Sequence, residues 1–185
     1  MFIQTENTPN PLTIKFLPGE TVMEEGVAEF KNREQSLVSP LAKQLFQLGD
    51  IDGVFFGSDF VSITKEEKAD WTMLKTRVMA VIMEHFTIGQ ELFIDGQAPS
   101  DKGVAEEDDE LTAQIKELLD TRVRPMVAMD GGDIVFDRFE EGVVYLQMRG
   151  ACSGCPSATI TLKSGIENML RHYVPEVLEV RQAAG

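Results

Sequence analysis

Apolar positions alternate with polar ones at Leu12, Ile14 and Phe16, the period of a strand with one buried face. Phe2 and Ile3 stand before it, across the breaker-rich Asn7-Thr8-Pro9-Asn10-Pro11, so the chain opens as strand, turn, strand. Residues 20–38 show no clear period, with Val22, Val27 and Phe30 as expected core contacts. Ser39-Pro40 then combines a good N-cap with a proline suited to the first helical position. Leu41, Ala42, Leu45, Phe46 and Leu48 give that short helix one apolar side. Residues 51–56 and 60–64 read as a hairpin closed at Gly57-Ser58-Asp59. Trp71, Leu74, Val78, Val81, Ile82 and His85 recur at helical spacing, which predicts a helix over 67–86. Leu92-Phe93-Ile94 is expected to add a short strand.

The pattern then breaks. Residues 96–109 combine turn formers with the acidic run Glu106-Glu107-Asp108-Asp109, the composition of a flexible, solvated linker. Periodicity resumes at Leu111, Ile115, Leu118, Leu119, Val123 and Met126, a single helical stripe. Asp130-Gly131-Gly132-Asp133 reads as a tight turn, since two glycines permit positive φ. Its carboxylates are in reach of a metal only on paper, because soft centres prefer sulfur. Strands follow at 134–136 and 143–148, closed by Glu140-Glu141-Gly142. A helix is predicted from Pro156 to Tyr173, with Ile160, Leu162, Ile166, Met169, Leu170 and Tyr173 on its core side. Pro175 stops it, and 177–180 make a final edge strand.

The fold class is therefore α+β. Two small α+β domains, residues 1–95 and 110–185, flank the linker at 96–109. The C-terminal domain is a short β-sheet packed on two helices.

Composition narrows the chemistry. Among 185 residues, 31 acids face 17 Lys and Arg, a net charge of −14. That excludes a phosphate-tracking nucleic-acid binder, which needs clustered cations. No apolar run is long enough to span a membrane. The start lacks a secretory or transit-type leader, so the expected location is cytoplasmic, with a mature mitochondrial matrix form as the alternative. Two cysteines are too few for a disulfide framework.

Those two cysteines, Cys152 and Cys155, lie in Gly150-Ala151-Cys152-Ser153-Gly154-Cys155-Pro156, between a strand and a helix. Pro156 suits the first helical turn, which puts Cys155 at a helix N-terminus, where free N–H groups favour a thiolate. Gly150 and Gly154 let the backbone bend and turn its N–H groups inward. Two thiolates are half a site, because zinc and ordinary iron–sulfur clusters take four protein ligands. His85 falls on an apolar helix face and His172 at a helix C-terminus, so neither completes the set. The remaining ligands must come from a second copy, a partner protein or a small thiol. Three readings stay open on the residues alone: an iron–sulfur carrier, a dithiol oxidoreductase, and a zinc-binding dimerisation module. An interaction module with inert cysteines is disfavoured, because the Gly, Ser and Pro around the pair make an exposed loop.

Met129 to Ile134, Gly150 to Ser157 and Thr161 to Glu167 resemble the C-terminal domain of the NifU-like (Nfu) iron–sulfur scaffold family. Thr8 to Pro11, Lys15-Phe16, Ser39 to Ala42 and Val54 to Gly57 resemble that family's N-terminal domain. The resemblance implies that Cys152 and Cys155 ligate a 4Fe–4S cluster bridging two protomers of a homodimer. It implies delivery of the cluster to apo-proteins, exchange with upstream assembly factors, and no turnover chemistry. Zinc is a substitute that the same thiolates accept.

Overall fold

The computed structural model describes residues 2–96, 109–151 and 156–183. The chain divides into two compact units, residues 1–100 and 101–185. No helix among the described residues is long and apolar enough to cross a membrane.

In the first unit, β1 (Gln4–Asn7), β2 (Thr13–Leu17), β3 (Ala28–Phe30), β4 (Ile51–Phe56) and β5 (Val61–Lys65) form one sheet in the order β1-β2-β5-β4-β3. Every pairing in it is antiparallel. Helices α1 (Pro40–Gln47) and α2 (Trp71–Ile88) share one core with alternate strand residues. Leu41 and Leu45 of α1, and Leu74, Val78 and Ile82 of α2, meet Ile14, Phe16, Val54, Phe56, Val61 and Ile63 there. The caps are those the sequence predicts for α1. The Ser39 hydroxyl accepts the Ala42 N–H, and Pro40 occupies the first turn. Asp70 caps α2 in the same way through the Thr72 N–H at 2.8 Å.

The hairpin β4–β5 closes where expected, with the Gly57 N–H bonded to the Phe60 carbonyl at 2.9 Å. Phe55 and Phe60 are buried, with ring centroids 6.0 Å apart, so these aromatics pack and do not form an open surface. Residues 92–94 are not a strand. Phe93 anchors against Phe30 and Phe56, and left-handed Asp95 and Gly96 turn the chain into a short 3-10 turn at 94–96.

In the second unit, α3 (Glu110–Leu118) passes into one wide π turn at 119–123 and then into α4 (Arg124–Met129). The predicted single stripe fails at its end. Met126 is 55% exposed, and Val127 takes the core position at 1%. Pro125 supplies the reason, because it has no N–H for a carbonyl one α-turn back. The helix widens just before it, and the Arg124 N–H reaches five residues back to the Leu119 carbonyl. One extra residue per turn delays the buried row, which runs Ile115, Leu119, Val123, Val127.

The sheet of this unit has the order β6-β7-β8 (Gly132–Glu140, Val143–Gly150, Glu179–Gln182). Glu141 (φ 48°) and Gly142 (φ 81°) close β6 on β7 in a two-residue turn with both residues left-handed. Helix α5 (Pro156–Tyr173) carries the chain from β7 to β8, which runs parallel to β7. Ile166 and Leu170 of α5 enter the core, followed by Val174 and Val177. Ile160 is 66% exposed, against expectation. At 3.6 residues per turn it stands about 120° round the helix from Ile166. Tyr173 keeps the right phase, but as the last helical residue it overhangs the core. Its ring lies 4.9 Å under the Arg122 guanidinium and is exposed.

Candidate metal centre

Strand β7 ends at Gly150, and α5 begins at Pro156. The four residues 152–155, with both predicted ligands Cys152 and Cys155, lie outside the described residues. The geometry on either side of them is defined. Gly150 has φ 62°, a conformation that costs any L-residue with a Cβ. The register pairs Gly132 with Gly150 and Asp133 with Arg149. The Ala151 N–H then bonds to the Gly131 carbonyl at 3.2 Å, and Ala151 is buried. The last described residue before Cys152 is thus pinned to the double-glycine turn between α4 and β6.

That turn is itself held. Asp133 is not a turn residue with a free carboxylate. It lies in β6, 3% exposed, and accepts Arg124 Nε and Nη2 at 3.0 Å each. Arg124 Nη1 also donates to Asp120 at 3.2 Å. The bond to Asp133 keeps the Arg124 guanidinium above its ordinary pKa, against a smaller opposing effect of burial. Asp130, by contrast, is exposed. Arg124 and Asp133 were invisible as a pair in the sequence. The one available signal was a proline following an arginine inside an otherwise regular stripe.

Lys163 and the two histidines each have other neighbours. Lys163 lies on α5, 3.8 Å from Glu179 of β8. His172 is exposed, edge-on to Tyr173 at 5.0 Å. His85 belongs to the first unit and is 1% exposed, edge-on to Phe86 at 5.3 Å. Burial lowers its pKa, with a weaker opposing bond from Gln90. Among the described residues, no three His, Cys, Asp or Glu side chains come together in a way that holds a metal.

Comparison with known proteins agrees with this layout. Residues 3–89 match the family model described as scaffold protein Nfu/NifU N terminal, and residues 115–181 match the NifU-like domain. The protein named NFU1 iron-sulfur cluster scaffold homolog, mitochondrial, from Homo sapiens is 50% identical over 183 residues, covering 98% of this chain and 72% of that protein. The chain belongs to the NifU-like (Nfu) family. NifU-like protein 4, mitochondrial, and NifU-like protein 5, mitochondrial, from Arabidopsis thaliana are each 53% identical over 98% of this chain. The chain spans 66% and 68% of their respective lengths. The two matched Nfu regions fall one in each compact unit, and the strand–CxxC–helix segment lies within the second.

Proposed function

We propose that this protein is an iron–sulfur cluster scaffold and carrier. Cys152 and Cys155 of two copies hold a 4Fe–4S cluster as cargo and pass it to apo-proteins. The observation that carries this reading is the placement of the cysteines. Both thiols of the chain lie between a pinned, left-handed Gly150 and the start of an 18-residue helix. A helix start offers free N–H groups to a negative centre. The relatives' names support the iron–sulfur scaffold part of this reading. They also place those proteins in mitochondria, which fits the matrix alternative, and the cytoplasmic expectation gains no support from them.

The protein does no chemistry of its own in this account. Its part is to accept a cluster from upstream factors, hold it with half of the ligand set from each copy, and release it to a recipient that offers its own ligands. Residues 1–95 act as a modulator of assembly or partner choice, joined through the acidic stretch 96–109 to the cluster domain at 110–185. Zinc bound at the same thiolates is a substitute for the cargo.

The test is transfer. Cluster-loaded protein mixed with an apo-ferredoxin restores the ferredoxin spectrum in the presence of a chelator that captures free iron. Recovery that the chelator abolishes would refute direct handover.

One observation keeps the oxidoreductase reading in view. The pair sits between β7 and α5, and β8 follows parallel to β7. The segment ahead of it is an antiparallel hairpin, though, and the Trp-Cys-Gly-Pro-Cys surround is missing. Insulin reduction at thioredoxin-like rates would decide for that reading.

A further inference from the structure

We infer that Arg124 and Asp133 form a positioning device for the thiol loop. This rests on reading residues 150–156 as the cluster site. The two side chains meet in a fork-to-fork pair at 3.0 Å and 3.0 Å, with Asp133 almost wholly buried. Such a pair fixes both distance and plane. It ties α4 to the start of β6 across the joint at Gly131-Gly132. Two adjacent glycines leave that joint with little conformational restriction of its own.

The end of β7, which leads into residues 152–155, is held at the same joint. Gly132 faces Gly150, Asp133 faces Arg149, and the Gly131 carbonyl holds the Ala151 N–H. A shift of Asp133 against α4 therefore moves Ala151, the neighbour of Cys152. Two thiols that must meet one inorganic centre tolerate errors of only about 0.5 Å.

The fold does not need this pair for its core. That core is made by Ile115, Leu119, Val123, Val127, Ile134, Leu146 and their neighbours. A buried ion pair is a weak source of stability, and apolar residues of similar volume commonly replace one without loss. The π turn at 119–123 points the same way. It is a departure from regular helix that hands the core position to Val127 and leaves Arg124, at the first residue of α4, on Asp133. Wide turns of this kind collect at functional sites. Asp120 adds a second acceptor on the guanidinium, at a position 61% exposed, and secures Arg124 from the helix side.

The test uses the full chain in three variants: Arg124→Lys, which keeps the charge and loses the fork; Asp133→Asn, which keeps the shape; and the paired Arg124→Met with Asp133→Leu. Thermal unfolding is measured with two readouts that a purely structural pair would leave alone. One is the pH-dependent rate at which iodoacetamide alkylates Cys152 and Cys155 in the metal-free protein, followed by mass spectrometry. The other is the lifetime of the reconstituted cluster against a chelator. The paired variant is expected to stay folded with a midpoint close to the parent, to change both alkylation profiles, and to lose its cluster about 10-fold faster or more. Folded variants that match the parent in both readouts overturn the inference. So does unfolding of every variant, because the pair would then be a determinant of the fold. If the parent itself takes up no cluster, the scaffold reading fails, and the alkylation profiles alone decide the positioning role.

Discussion

The Ala151 backbone N–H bonds to the Gly131 carbonyl, 20 residues earlier in the chain, at 3.2 Å. This bond ties the strand leading into the CxxC segment to the turn leading out of α4. The two glycine-bearing backbones pair alongside it, with Gly150 opposite Gly132.

Substitution of Gly150 by alanine is the first consequence. At φ 62° a Cβ costs about 1–2 kcal/mol. The expected result is a second unit destabilised by that amount, with less iron retained per chain after reconstitution. Urea unfolding followed through Tyr145 and Tyr173, both in the second unit, gives the first number, and iron analysis the second. Unchanged stability and full iron loading would show that the position does not require glycine.

The π turn predicts an inverted pair of alanine substitutions. Val127→Ala should cost about 2 kcal/mol, through lost burial and a small cavity. Met126→Ala, next door and exposed, should change stability by no more than about 0.5 kcal/mol. The same tyrosine-monitored unfolding decides. A larger loss at Met126 would restore the uninterrupted helix that the sequence pattern predicts.

His85 makes the first unit pH-sensitive. Burial lowers its pKa in the folded state, so on acidification the unfolded chain takes up a proton first. The sign follows: stability is full above about pH 6.5 and falls as pH drops towards the folded pKa. Trp71, the chain's single tryptophan, reports on this unit. Its unfolding midpoint should drop between pH 7.5 and pH 5.5 in the parent and drop less in His85→Leu. Equal slopes in the two proteins would place the sensitivity elsewhere.

Much of this was legible in the sequence, and the reasons differ by element. The α1 start was written in Ser39-Pro40, because capping is a local contest that two residues settle. The β6–β7 hairpin was legible because Gly142 carries the positive φ the turn demands. The Met126 prediction failed because periodicity assumes a constant turn, and Pro125 changes the turn before it acts on its own position. Residues 92–94 look like strand by composition. Their role is decided by the ring contacts of Phe93 with Phe30 and Phe56, which are distant in the chain. At the site, Cys152, Cys155 and Gly150 announced themselves by type and spacing. Arg124 and Asp133 did not, since nothing local distinguishes a buried ion pair from two surface charges nine residues apart.

The central claim is that two copies share one cluster through Cys152 and Cys155. Anaerobic reconstitution with iron and sulfide, followed by Mössbauer spectroscopy and mass measurement of the intact assembly, tests it most directly. The expected result is the signature of a 4Fe–4S centre, a mass of two chains per cluster, and loss of both in the Cys152→Ser/Cys155→Ser protein. A serine variant that loads as fully as the parent, or a cluster carried by a single chain, would contradict it.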